Sequence, residues 1–203
     1  AYAPDSAIYL LGKAHTLRLA KQPMKAKPLL EQALTRDSLN TKVLSELFEL
    51  HFFDLGEPDR AVSYNDRIFS ITPRHPLGHY NLGQVYFRKY QQAKAAGSPQ
   101  AERHLNAALN SYNSAIASDP DFAKALYGRG YVQFEKSAYD NALADFKLAA
   151  QHDPRDHRTQ FMLGSLYEYY DDRAQAIAHY KKALKLQPGF TEARQALREL
   201  GVE

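Results

Sequence analysis

The sequence predicts an all-α protein built as a stack of paired helices, and three observations carry that reading. Proline returns every 34 residues, at Pro120, Pro154 and Pro188. At the same step return Ala108, Ala142 and Ala176, then Tyr112, Phe146 and Tyr180, then Ala115, Ala149 and Ala183, and Gly130 and Gly164 keep it too. Between these markers the apolar residues fall at helical rather than alternating spacing. A period of this length is the mark of a repeat array.

Each element of the unit has its own justification. The first helix carries Leu126, Gly130, Val132 and Phe134 at helical spacing, and the second carries Tyr139, Ala142, Leu143, Phe146, Ala149 and Ala150. A short polar turn divides them, KSAYDN in one unit and YDDRAQ in the next. Proline ends the second helix, because it lacks a backbone donor and pushes the preceding residue out of the α region. Gly130 and Ala142 let the two backbones approach to the lower end of about 8–10 Å, and Phe146 fills the space beside them.

Taken together, these residues resemble the tetratricopeptide repeat, a 34-residue helix-turn-helix with small residues on both helices, aromatics beside them and a closing proline. The resemblance implies a right-handed superhelical solenoid occupying residues 1–203 as one domain. Residues 7–41 form a degenerate first unit, with Ala14, Ala26, Leu30 and Ala33 in place and Ser38 instead of proline. Residues 42–75 keep Phe52, Ala61 and Pro73 but place Glu49 at a small position and Ile68 where an alanine is usual. Residues 76–122 hold Leu82, Gly83, Tyr86, Ala108, Tyr112, Ala115 and Pro120 with 13 residues to spare. Residues 123–156 keep Gly130, Ala142, Phe146, Ala149 and Pro154, and residues 157–190 keep Gly164, Tyr167, Ala176, Tyr180, Ala183 and Pro188. From 191 to 203, Ala193, Ala196, Leu197 and Leu200 predict the polar-faced helix that caps an array.

The surplus in the third unit is predicted to lengthen both of its helices by about six residues, roughly 9 Å each. Gly97, Ser98 and Pro99 are expected to end one helix, cap the next and occupy its first position. Such a hairpin would expose Tyr90 with Lys89, Lys94 and Arg103 as a second contact surface, including one for self-association.

Composition removes several classes of function. The chain has 203 residues, a formal net charge of +3 and no cysteine, so disulfides, thiolate nucleophiles and cysteine-held zinc are excluded. Positive charge gathers only in residues 1–41, and residues 42–75 lean acidic. Nucleic-acid binding calls for a concentrated basic stripe, so no nucleic-acid partner is expected. No run approaches the roughly 20 apolar residues of a membrane span. The first residue is Ala1 rather than methionine, leaving room for a leader or lipid anchor and the compartment open between cytoplasm and periplasm.

Catalysis finds no constellation. His75 and His79 share a ligand-like spacing, but Pro76 should begin the helix between them and no third ligand follows. His152, Asp153, Asp156 and His157 fall in an inter-repeat turn, where aspartate caps helices. Gly83 has a packing explanation, so with Gly78 it makes no phosphate loop. No cofactor or metal is expected, and the protein reads as a non-enzyme.

What the resemblance implies instead is a concave groove lined by first helices, holding a peptide segment of a protein partner. Carried over by register, its residues are Tyr80, Asn81, Gln84, Phe87 and Arg88, then Lys124, Tyr127 and Tyr131, then Arg158, Phe161, Ser165 and Tyr169. Asn81 would bond main-chain amides, and the cations would meet carboxylates. Asn81 and Lys124 match two places of the two-carboxylate clamp that some family members use for acidic chaperone tails. Glu46, Leu50 and Gly128 fill the other three, so that clamp is incomplete. Two alternatives share the resemblance: an envelope factor like the lipid-anchored members that help build pili or secretion pores, and the regulatory or targeting half of a larger enzyme.

Overall fold

Except for α2, which ends at Arg36, the helices stop where the chain supplies a left-handed residue or a proline. The computed structural model describes residues 6–202, so the outermost ends of the expected 1–203 domain lie outside them. Eleven α-helices follow in order: α1 Ala7–Leu19, α2 Pro23–Arg36, α3 Thr41–Glu49, α4 Pro58–Ile71, α5 Pro76–Ala95, α6 Ala101–Ser118, α7 Ala123–Glu135, α8 Tyr139–His152, α9 His157–Tyr169, α10 Arg173–Leu186 and α11 Thr191–Glu199. A π-helical segment, Leu50–Asp54, continues α3, and no strand occurs among the described residues. Lys21, Gly97, Ser137 and Asp171 stand at φ of 55–62° just past α1, α5, α7 and α9. After each, the next N–H reaches back to a carbonyl of the helix's last turn, as Ser98 does to Ala93 at 2.8 Å and Asp172 to Tyr167 at 2.8 Å.

Odd and even helices pair antiparallel, and each even helix also packs on the next odd one, from α1 through to α11. The odd helices α1, α3, α5 and α7 touch in succession. They make one face of a superhelical, all-α solenoid with α11 closing its end. Aspartate caps as expected at the 152–157 turn, where the Asp156 carboxylate accepts from the Thr159 N–H at 3.3 Å. His75 caps α5 by accepting from the Leu77 N–H at 3.2 Å, and His79 lies edge-on to Phe69.

The depth of each pair is set by an aromatic ring on a glycine. A methyl group on Gly164 would sit 2.6 Å from the Tyr180 ring, and one on Gly130 would sit 3.0 Å from Phe146. Tyr112 is gripped twice, since methyls on Gly83 and Gly128 would fall 2.5 and 2.6 Å from its ring. The second unit departs from this scheme. First helices open at Ala7, Thr41, Pro76, Ala123 and His157, so one residue beyond 34 lies between Thr41 and His75. The π-helical turn absorbs it, with the Leu55 N–H on the Leu50 carbonyl at 3.0 Å. In this register Phe48, not Glu49, stands at the small position, fully buried. Buried Asn65 takes the aromatic's place on α4. The first helix supplies the volume that the second supplies elsewhere.

The inserted hairpin consists of two long helices, of 20 and 18 residues against 13 and 14 in α7 and α8. The expected punctuation is corrected in detail: α6 opens at Ala101, and Ser98 instead closes the turn by accepting from the Gln100 N–H at 3.3 Å. Tyr90 is not exposed. It retains 6% of its surface, and its hydroxyl donates to Glu135 at 2.5 Å, beside Lys94 Nζ on the same oxygen at 2.6 Å. Lys136 reaches back to Glu102 at 2.5 Å. The hairpin is therefore strapped to the end of α7, because α7 offers an acid and a cation where α5 and α6 offer the opposite charges.

Two outcomes follow from these contacts. Gly164→Ala should cost about 1–3 kcal/mol through overpacking, whereas Gly12→Ala, with nothing within 4 Å of the added methyl, should gain about 0.5–1 kcal/mol from the helix interior. Chemical denaturation that ranks the two alike contradicts the packing. For Glu135, burial raises the carboxyl pKa, but the Lys94 and Tyr90 hydrogen bonds outweigh it and hold the group below its usual 4.5. A depressed carboxylate stabilises the fold above its unfolded pKa and loses that contribution as pH falls. The melting-temperature gap between wild type and Glu135→Gln should therefore be open at neutral pH and close as pH is taken below about 4.5.

Candidate functional site

The π-helical turn is where the site begins, because the extra residue brings Phe52 and Phe53 together at the inner face, edge to face at 4.9 Å. Phe52 stacks on Phe48 at 5.2 Å, and Phe53 remains 49% exposed. Arg88 of α5 donates to the Phe52 carbonyl at 2.6 Å and lies over the Phe52 ring at 4.2 Å. It thus satisfies a carbonyl that the widened turn leaves free.

Beside this turn is a cavity of about 380 Å³. Phe52 and Phe53 form one wall; Tyr80, Gln84, Phe87, Arg88 and Gln91 of α5 form the next. Lys124, Tyr127, Gly128 and Tyr131 of α7 face them, Arg158 of α9 closes the far end, and Tyr112 of α6 reaches through from behind. Phe87 meets Tyr131 edge-on at 5.4 Å, and Arg158 lies over Tyr127 at 5.2 Å while its Nε donates to Asp156 at 3.0 Å. Lys124 is 55% exposed, with Glu49 at 3.7 Å. Burial raises the Tyr80, Tyr127 and Tyr131 phenols, Tyr127 to about 12. All three keep their protons at neutral pH.

Eight of the twelve expected groove residues meet in this cavity, and four do not. Asn81 is fully buried, with neither amide atom hydrogen-bonded, and it does not line the cavity. Phe161 packs on Tyr180 and Phe190, holding α9 to α10 and the cap. Ser165 donates to the Phe161 carbonyl and accepts from Tyr180. Tyr169 stands at the end of α9 against Tyr139 and Tyr170. Phe52, Phe53, Gln91, Tyr112 and Gly128 line the cavity without having been expected there. The surplus residue between Thr41 and His75 was the available signal for the two phenylalanines.

Toward the N-terminus the same face is closed by charge. Arg18 of α1 donates to Glu46 at 2.5 Å, Glu49 at 3.2 Å and Asp54 at 2.7 Å, and His15 meets Glu46 at 3.0 Å. Burial disfavours the Arg18 charge, but these carboxylates more than restore it. Glu46 is thus occupied within the protein. Among the described residues no three histidines or carboxylates stand where they could hold a metal, and no helix is long and apolar enough to cross a membrane.

Comparison with known proteins places this fold. Two tetratricopeptide-repeat family models match the chain, over residues 100–157 and 157–190. Tetratricopeptide repeat protein 14 of Mus musculus is 32% identical over 105 residues, 48% of this chain and 14% of that protein. The anaphase-promoting complex subunit CDC16 of Saccharomyces cerevisiae is 25% identical over 201 residues, 96% of this chain and 22% of that subunit. The chain thus spans under a quarter of the length of these relatives. TTC0263, a thermophilic TPR protein of Thermus thermophilus, superposes with a TM-score of 0.77 at 24% identity, over 96% of this chain and 99% of that one.

Arg18→Met should cost about 2 kcal/mol, since it leaves three carboxylates facing one another at a partly buried site. Arg18→Lys should recover part of the loss. A denaturation midpoint unchanged in Arg18→Met would show that the cluster contributes nothing.

Proposed function

This chain belongs to the tetratricopeptide-repeat family, and on that premise we propose that it is a non-catalytic scaffold holding a peptide segment of a partner protein in the aromatic pocket between α3 and α9. The fold supports a protein-interaction role in general; the pocket is the observation that favours this particular one. Its walls come from the odd helices α5, α7 and α9 and from the π-helical turn, so a segment lying along the inner face crosses it. Aromatic walls offer apolar area at little conformational cost, and the cations at their edges give direction to an otherwise greasy contact. Phe53 and Lys124 are both about half exposed, so neither is needed to hold the stack together.

A partner captured on the purified chain, cut into tiled peptides, provides the test by fluorescence anisotropy. Phe53→Ala combined with Lys124→Ala should weaken the bound segment by more than about 1 kcal/mol while the melting temperature stays put. Tyr169→Ala, outside the pocket, should leave affinity unchanged. The opposite ranking would move the site toward the end of α9 and remove the pocket from the proposal.

A further inference from the structure

Two turns at opposite ends of the solenoid leave large apolar side chains in the open, and they carry opposite charges. Leu19 and Met24, 73% and 70% exposed, stand either side of the turn between α1 and α2. Tyr169 ends α9 and Tyr170 caps it, 59% and 41% exposed, before the turn into α10. The two turns are equivalent parts of the first and fifth units. Counted from Ala7 and His157, where those units open, Leu19 matches Tyr169 and Lys21 matches Asp171. Lys21 and Asp171 share a left-handed backbone, at φ of 55° and 58°. One end of the array thus presents lysine where the other presents aspartate.

Neither set of charges is spent within the protein. The Lys13, Lys21 and Lys25 ammonium groups have no partner among the described residues. The acids of the neighbouring second unit are already held, Asp54 by Arg18 and Glu57 by His51 and Arg60. At the other end Asp140 accepts from the Tyr170 hydroxyl at 2.5 Å, and Asp172 caps α10 by accepting from the Gln175 N–H at 3.1 Å. Neither of them, nor Asp171, meets a cation among the described residues, and the adjacent Arg173 donates to the Leu200 carbonyl. Tyr139 extends the aromatic face, its ring 4.3 Å from that of Tyr169. Exposed apolar groups that gather within a rim of charge mark a contact surface. Here the two rims are complementary, so unlike ends attract and like ends repel.

We propose that the chain self-associates head to tail, the lysine turn at residues 19–25 of one copy docking on the tyrosine and aspartate turn at residues 169–172 of a second. Leu19 and Met24 cover the exposed tyrosine rings, while Lys21 and Lys25 meet Asp140 and Asp171 or lie over a ring face. The contact is heterologous: each copy gives one end and keeps the other free, so assembly continues beyond a pair unless the arrangement closes on itself. None of these residues lines the pocket between α3 and α9. Copies joined in this way leave the pocket's own residues uncommitted and repeat them along the assembly.

Sedimentation equilibrium of the purified chain at low ionic strength provides the test. The mass should climb above the 23.0 kDa of one copy as concentration rises, and added salt should reverse the climb. Lys21→Asp with Lys25→Glu, or Asp171→Lys alone, should each weaken association about tenfold or more while the melting temperature stays put. The exchanges at 21 and 171 place each residue in a backbone conformation that it already holds at the other end. Leu19→Ser with Met24→Ser should weaken association as much at constant charge, whereas Leu39→Ser, 66% exposed on a different turn, should not. The two charge variants, each impaired alone, should associate when mixed, since each retains the end that the other lacks. A mass fixed at 23.0 kDa at every concentration overturns the proposal. So does an equal loss in Leu39→Ser, which would mark indiscriminate apolar contact, and so do charge variants that stay apart when mixed, which would mark a contact between like ends.

Discussion

Everything in this solenoid depends on how closely a ring on one helix can lie against a bare backbone on another. Burying a tyrosine or phenylalanine side chain contributes about 1.5–3 kcal/mol, and it does so here only because glycine leaves the facing surface open. Tyr180 on Gly164, Phe146 on Gly130 and Tyr112 between Gly83 and Gly128 are one contact made three times. Because interiors pack at near-crystalline density, each contact fixes the separation of its helices. The stacked separations then place the odd helices side by side. Without that spacing the side chains from α5, α7 and α9 would not converge on one cavity.

The second unit shows that the constraint is on volume and not on which helix provides it. Phe48 occupies the small position and Asn65 the large one, and a π-helical turn takes up the residue left over. The widened turn then frees a carbonyl for Arg88 and sets Phe52 and Phe53 at the mouth of the pocket. A local irregularity in packing thereby becomes a wall of the candidate site.

The array itself was legible because its markers are chemically unlike one another yet return in step: proline, alanine, aromatic and glycine. The long hairpin was legible from its surplus length and its glycine. What escaped reading was register and direction. A phenylalanine at a position reserved for small residues disguised the one-residue slip near Leu50, so Glu49 took Phe48's place and the two pocket phenylalanines went unnoticed. Tyr90 reads as exposed until α7 is seen to bring Glu135 to it. Asn81 and Phe161 occupy groove positions in the repeat, but their side chains turn into the stack, and Tyr112 reads only as core because nothing in its spacing says that its hydroxyl reaches through to the other side.

The double grip on Tyr112 has a consequence for how such a chain can change over generations. Phe53, Lys124 and Arg158 are each about half exposed and can be exchanged one at a time, each exchange altering the shape or charge of the rim while the helices stay where they are. Tyr112 has no such freedom: a ring of another size would require Gly83 and Gly128 to change with it, on two different helices. The floor of the pocket is therefore inherited as a block of three residues, and diversification among descendants of this chain is channelled to its edge.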